Sequence, residues 1–283
     1  MMGASTTSHF LDDFVKFLQK FIIRILSVGP LPNHIAFIMD GNRRYAKKHN
    51  LIQGAGHKAG FLSLMSMFKF CYELGVRYVT IYAFSIDNFK RRPQEIQSLM
   101  ELLQEKLEGL IKEESIVNLY GVRVLFIGNL KLLSEPVRLA AEKAMLATAK
   151  NSKAILSICV AYTSTNEILN AVKESCDEKW DEISILNESG AGYGLIKLGV
   201  QDDSEQIIKC LDIEKYMYAP DPDIVIRTSG ETRLSNFFLW QTAFCYLYSP
   251  SVLWPEIGFC HFLWAILNFQ RNHLYLSRKQ KQS

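Results

Sequence analysis

Short apolar runs alternate along this chain with longer stretches in which apolar residues recur every three or four positions, the patterns of strands and helices in turn. Residues 35–39, Ile-Ala-Phe-Ile-Met, read as a buried strand that stops on the turn-forming triplet Asp40-Gly41-Asn42. The spacing predicts a helix over 59–74, with Phe61, Leu64, Met65, Phe68 and Cys71 on one side and Gly75 as its C-cap. A second strand spans 76–84 and runs into a polar, cationic loop ending at Pro93, which suits the first turn of a helix over 94–114. Strands at 122–127 and 154–161, helices at 136–150 and 166–174, a strand at 223–226, a last short strand before Trp254-Pro255 and a closing helix at 261–270 continue the pattern. Such alternation predicts a single α/β domain over 31–270, with a central, mostly parallel sheet covered by helices.

The two ends differ from this body. Over 10–28, Phe14, Phe17, Leu18, Phe21, Ile22, Ile25 and Leu26 recur at helical spacing while Asp12, Asp13, Lys16, Lys20 and Arg24 interrupt them. This segment is shorter in uninterrupted apolar length than the roughly 18 residues needed to span a bilayer. It reads as an amphipathic helix that lies on a membrane, packs on a partner or docks on its own core. A cleaved signal peptide is not expected, because acids precede the apolar part. Residues 175–205 hold eight Asp/Glu against two Lys and a Gly-rich run, and read as a mobile, solvated insertion. The tail from Arg271 to 283 carries four basic residues and no acid.

At 283 residues and 48% hydrophobic, the chain can bury a full core. A net charge of +3 is too small for bulk nucleic-acid binding, so basic residues matter where they cluster. Six cysteines without a C-x-x-C pair argue against a structural zinc site or a disulfide framework and fit a reducing, cytosol-facing compartment.

Clusters do occur, and they sit after strands. Between Asp40 and Lys58 lie Arg43, Arg44, Lys47, Lys48 and Lys58, with His49 and His57, around one carboxylate. One reading is a phosphate site in which Asp40 holds Mg²⁺ and the cations hold phosphate oxygens; the other is a solvated basic turn. After the strand at 223–226, Arg227 and Arg233 bracket a Gly/Ser/Thr turn, a fork for phosphate oxygens. Three strands thus end in phosphate-compatible loops, which favours the first reading. The stretch from Gly54 to Gly60 is one residue off the dinucleotide fingerprint, and no G-x-x-x-x-G-K-[ST] occurs, so a kinase or dehydrogenase fits poorly.

Taken together, the stretches from His34 to Lys48, Gly56 to Gly60, Tyr82 to Asn88 and Ile226 to Asn236, with Leu239-Trp-Gln241 and Leu253-Trp-Pro255, resemble the cis-prenyltransferases. That family includes bacterial undecaprenyl diphosphate synthase, eukaryotic dehydrodolichyl diphosphate synthase and rubber-type enzymes. The resemblance implies repeated condensation of isopentenyl diphosphate onto an allylic diphosphate such as farnesyl diphosphate, with each new double bond Z and an apolar tunnel between helices and sheet for the product. It implies Mg²⁺ on Asp40; the allylic diphosphate on Gly41, Asn42, Arg43, Arg44 and His57, beside Tyr45; and isopentenyl diphosphate on Arg227, Arg233 and Ser235, with Arg91 near. Ser85, Asn88 and Phe89 would line the reacting centre. The family assigns Asn88 to proton removal, but a neutral amide is a poor base, so a positioning role is expected, with the departing diphosphate taking the proton.

Departures from the bacterial pattern carry their own expectations. Those enzymes have Gly at Arg43, Arg at Gln53 and Glu at Tyr246, and end in an Arg-x-Gly that this tail lacks. A heteromer follows, in which a non-catalytic, membrane-anchored homologue of the Nogo-B receptor type supplies the Arg-x-Gly. The implied role is the catalytic subunit of dolichol synthesis for protein glycosylation, peripheral on the cytosolic face of the endoplasmic reticulum, or else cytoplasmic. Rubber-type or short-chain polyprenol synthesis, and a non-catalytic scaffold, are the alternatives; an intact Asp40, Arg227 and Arg233 speak against the scaffold.

Overall fold

All five residues of β1 (His34–Ile38) are buried, as a parallel strand covered on both faces requires. In the computed structural model, which describes residues 4–52, 54–110, 116–188 and 213–282, β1 lies between β2 (Tyr78–Ser85) and β5 (Ile224–Arg227). With β3 (Val122–Ile127), β4 (Ala154–Tyr162) and β6 (Tyr246–Tyr248) they form one six-stranded sheet, ordered β3-β4-β2-β1-β5-β6 and parallel throughout. The expected α/β architecture is the one the chain adopts.

Side-chain alternation along the strands divides the core. Ile35, Phe37, Val79, Ile81, Leu156, Ile158, Ile224 and Ile226 point to one face and join the larger apolar cluster, while Ala36, Ile38, Cys159 and Val225 meet Phe237 and Phe238 on the other. The helices are α1 (Ala4–Leu26), α2 (Asn42–Lys48), α3 (Ala55–Leu74), α4 (Pro93–Leu110), α5 (Ile116–Leu119), α6 (Glu135–Ala147), α7 (Ser164–Glu188) and α8 (Phe259–Gln280).

Several helix bounds correct the sequence reading. A helix, α2, begins directly after the Asp40-Gly41 turn, and α3 starts earlier than expected, at Ala55. The mobile insertion over 175–205 is corrected for its first part: 175–188 continue α7, where Glu178 takes hydrogen bonds from Lys215 and from the Tyr216 hydroxyl (2.7 Å), giving a charged surface a partner. Residues 189–205 lie outside the described residues. The basic tail is likewise helical as far as Gln280, because no Gly or Pro follows Gly258 and Arg278 and Lys279 suit a helix's last turn.

Among the described side chains of α1, Ile23 and Leu26 are buried and Ile22 packs beside them, whereas Phe14, Phe17, Leu18, Phe21 and Ile25 are exposed. The expected single apolar face is therefore divided, its last turn docked and its apolar residues from Phe14 to Phe21 uncovered. No helix among the described residues is long and apolar enough to cross a membrane.

At the opposite end of β1 from the candidate site, His34 is 1% exposed and pairs with the Thr80 hydroxyl (2.8 Å) and the Pro220 carbonyl (2.9 Å). Burial lowers its pKa from 6.5 to about 4. The unfolded chain therefore binds a proton that the folded chain refuses, and stability falls as pH drops from 6.5 toward 4, by on the order of 3 kcal/mol. Urea midpoints across that range should decline less steeply in His34→Gln; an equally steep decline would rule His34 out as the source.

Candidate active site

Asp40 stands just past the carboxyl end of β1, and Arg227, the last residue of β5, pairs in register with Ile38. The turn between β1 and α2 is held by its backbone. The Asp40 carbonyl accepts from the Trp254 N–H (2.9 Å) and from the hydroxyls of Thr228 (2.6 Å) and Ser229 (2.9 Å), and the Asp40 N–H donates to the Thr228 oxygen (3.1 Å). Gly41 has φ of 111°, and a Cβ there would press on Ser229 and Leu253, so only glycine suits.

One turn apart on α3, Gly56 and Gly60 form a groove that seats Asn42. A Cβ on Gly56 would fall on the Asn42 carbonyl, and one on Gly60 on the Asn42 side-chain oxygen. The Trp254 indole N–H donates to the Gly60 carbonyl (2.8 Å), fastening the same junction.

The carboxylate of Asp40 joins the two cationic loops. Its Oδ2 accepts from Arg227 Nη2 (2.9 Å) and its Oδ1 from Arg44 Nη2 (3.1 Å). Burial would raise the Asp40 pKa, but the Arg227 and Arg44 guanidinium groups outweigh it and hold the carboxyl below its ordinary value. Arg227 itself is buried; its Nη1 donates to the Arg233 carbonyl (2.5 Å) and the Ser235 hydroxyl (2.7 Å), and its Nε has no partner. The Arg233 side chain is exposed and paired with Glu231. His57 is pushed below the usual imidazole pKa by burial and then by Arg91.

These groups surround one end of a cavity of about 680 Å³. Asp40, Asn42, Arg43 and His57 line it from the β1 side, Ser85, Asn88 and Arg91 from the loop after β2, and Arg227, Arg233 and Ser235 from the loop after β5. Beyond them the lining turns apolar: Phe61, Leu64 and Met65 of α3, Leu99, Met100, Leu103 and Leu107 of α4, and Ile81, Leu156 and Ile158 of the sheet. This is the space expected of the tunnel.

Four expected residues do not line it. Gly41 lies buried beneath the turn, and Arg44 acts through Asp40. Tyr45 packs against His49 with the rings tilted (4.4 Å between centroids), and Phe89 sits edge-on to Phe84 (4.9 Å). Asn88 is fixed in place, its Oδ1 accepting from the Ser85 N–H (3.2 Å). Sequence reasoning missed the supporting role of Thr228, Ser229 and Trp254, although the Trp-Pro pair lay among the stretches carrying the resemblance.

A magnesium ion fits this donor set in one way. Among the described residues no group of three or more His, Cys, Asp or Glu is placed to hold a metal, whereas Mg²⁺ is commonly held by one carboxylate, substrate phosphate oxygens and water. Asp40 is the residue that could serve as that carboxylate.

Residues 38–276 match the prenyltransferase family model of undecaprenyl diphosphate synthase. The chain belongs to this family. This prenyltransferase is 62% identical to dehydrodolichyl diphosphate synthase CPT3 of Solanum lycopersicum, over 100% of its own length and 99% of that protein. It is 43% identical to the human dehydrodolichyl diphosphate synthase complex subunit DHDDS over 92% of its own length and 73% of that protein. The crystal structure of lavandulyl diphosphate synthase from Lavandula x intermedia in complex with dimethylallyl diphosphate is similar with a TM-score of 0.66 and 29% identity, covering 84% of this chain and 95% of that one.

Proposed function

We propose that this prenyltransferase condenses isopentenyl diphosphate repeatedly onto farnesyl diphosphate to give a long-chain, Z-configured polyprenyl diphosphate of the dehydrodolichyl type. The observation that carries this reading is the contact between Asp40 and Arg227 (2.9 Å), which joins two cationic pockets at one end of an apolar cavity.

In this scheme Asn42, Arg43 and His57 hold the allylic diphosphate, with Gly41 shaping the turn beneath them and Arg44 acting through Asp40, and Arg227, Arg233, Ser235 and Arg91 hold isopentenyl diphosphate. Breakage of the allylic C–O bond puts charge on the departing diphosphate, which nearby guanidinium groups stabilise as it develops. Mg²⁺ on Asp40, when bound, supplies further neutralisation of that charge. The isopentenyl double bond attacks the allylic carbon, and the proton it then loses passes to the departing diphosphate, with Asn88 orienting the reacting ends. Apolar side chains of α3 and α4 exclude water and receive the lengthening product.

A heteromer with a non-catalytic homologous subunit that supplies an Arg-x-Gly is supported by the human relative's name as a complex subunit. The short edge strand β6 with exposed Leu247, beside exposed Trp264 and Leu267 of α8, offers a surface for it. Peripheral attachment to the cytosolic face of the endoplasmic reticulum is supported by α1, where exposed Phe14, Phe17, Phe21 and Ile25 accompany Lys16, Lys20 and Arg24; co-sedimentation with anionic vesicles tests it.

Labelled isopentenyl diphosphate, farnesyl diphosphate and Mg²⁺, incubated with the chain alone and with a partner subunit, should yield long-chain product separable by thin-layer chromatography. Absence of product under every pairing would leave only a scaffold role, and product size separates a dolichol-type from a rubber-type or short-chain enzyme.

A further inference from the structure

The polar end of the inner cavity adjoins a second, charged cleft of about 990 Å³ between α2, the start of α3 and the start of α4. Arg43, His57 and Arg91 line both spaces, whereas Glu95, in the first turn of α4, lines only the outer one. One Glu95 oxygen takes Arg91 Nη1 at 2.9 Å and Arg43 Nη1 at 3.5 Å. Arg43 is also the residue that stands where the bacterial pattern has glycine.

Glu95 is the carboxylate that pairs with both guanidinium groups at this junction, while Glu101 and Glu105 line the same cleft farther along α4. The two arginines register on His57, whose affinity for a proton is reduced by burial, then by Arg91, and also by Arg43, while Glu95 opposes them. Glu95 is the better anchored partner: its side chain is 19% exposed, against 66% for Arg43. The other guanidinium nitrogens of Arg43 and Arg91 have no partner among the described residues, and both residues line the cavity where Asp40 and Arg227 meet.

We propose that Glu95 is a positioning residue: from outside the cavity it holds Arg91, and more loosely Arg43, so that their unpaired edges present to the substrate diphosphates. It touches neither substrate and acts through the arginines. The proposal rests on the reading that Arg91 and Arg43 bind diphosphate.

Steady-state kinetics of the complete enzyme, with each diphosphate varied, test it in Glu95→Gln, Arg91→Gln and the double variant. The expected result is a KM for isopentenyl diphosphate raised about tenfold in Glu95→Gln with kcat nearly unchanged, a double variant no worse than Arg91→Gln alone, and recovery of most of the loss in Glu95→Asp. The proposal is overturned if Glu95→Gln leaves KM unchanged while Arg91→Gln raises it, or if the double variant multiplies the two single effects. If Arg91→Gln itself leaves KM unchanged, the diphosphate reading of Arg91 fails, and the proposal with it. Should Glu95→Gln unfold, Glu95→Ala carries the same cycle.

Discussion

Asp40→Ala should lower kcat by about a thousandfold, or about 4 kcal/mol of transition-state stabilisation. The carboxylate touches an arginine from each side of the site, at 2.9 Å to Arg227 and 3.1 Å to Arg44. Those same arginines hold its pKa below the ordinary carboxylate value, so it is ionised at neutral pH. The fold should survive, because the turn is held by the Asp40 carbonyl through Thr228, Ser229 and Trp254 rather than by the side chain. Arg227 loses its anion but keeps the Arg233 and Ser235 acceptors, which limits the destabilisation to about 1–2 kcal/mol. Turnover and a magnesium titration on Asp40→Ala and Asp40→Asn give the check; activity within tenfold of the parent at saturating Mg²⁺ would remove Asp40 from the centre of the mechanism.

Arg227→Gln has the second largest effect, a rise of about a hundredfold in the KM for isopentenyl diphosphate together with a loss of about 2–3 kcal/mol of stability. Both follow from one side chain. Arg227 is 6% exposed and reaches three acceptors: Asp40, the Arg233 carbonyl and Ser235. Its removal leaves Asp40 with Arg44 alone and loosens the loop that carries Ser235. Arg227→Lys should rescue little, because an ammonium point charge cannot reproduce a planar fork shared among three oxygens. The stability component has a fixed sign with pH. The Asp40 pKa is depressed, so the pair stabilises the fold above the ordinary value of 3.8 and loses that contribution as pH falls through the folded-state value. Urea midpoints at neutral pH and near pH 3 should therefore converge for parent and variant as the solution is acidified. A KM rise without any change in midpoint would mean that Arg227 binds substrate but does not support Asp40.

How readily each part could be read in advance follows from the range of the interactions involved. The central strands were legible because strands buried on both faces must be apolar throughout, and β4 runs Ala154–Tyr162 where its sequence indicates 154–161. Helix ends were less legible: α7 and α8 outrun their apolar stretches because their exposed turns rest on hydrogen bonds, as between Glu178 and Tyr216, or on the absence of any residue that breaks a helix. The candidate site was legible as residue types, a lone acid among cations after one strand and two arginines after another. Tyr45 and Phe89, assigned from the family pattern, turned out to pack on their neighbours.

Local chemistry therefore sufficed to say which loops can bind phosphate, since charge and turn propensity are properties of a few adjacent residues. That Asp40 and Arg227, 187 positions apart, share a hydrogen bond depends on β5 pairing with β1, a long-range choice made by the whole sheet. The same holds for Trp254 beneath the Asp40 turn, for the glycine groove that seats Asn42, and for Glu95 between two arginines. Each of these contacts exists only once separate segments are packed against one another, and no periodicity along the chain records it.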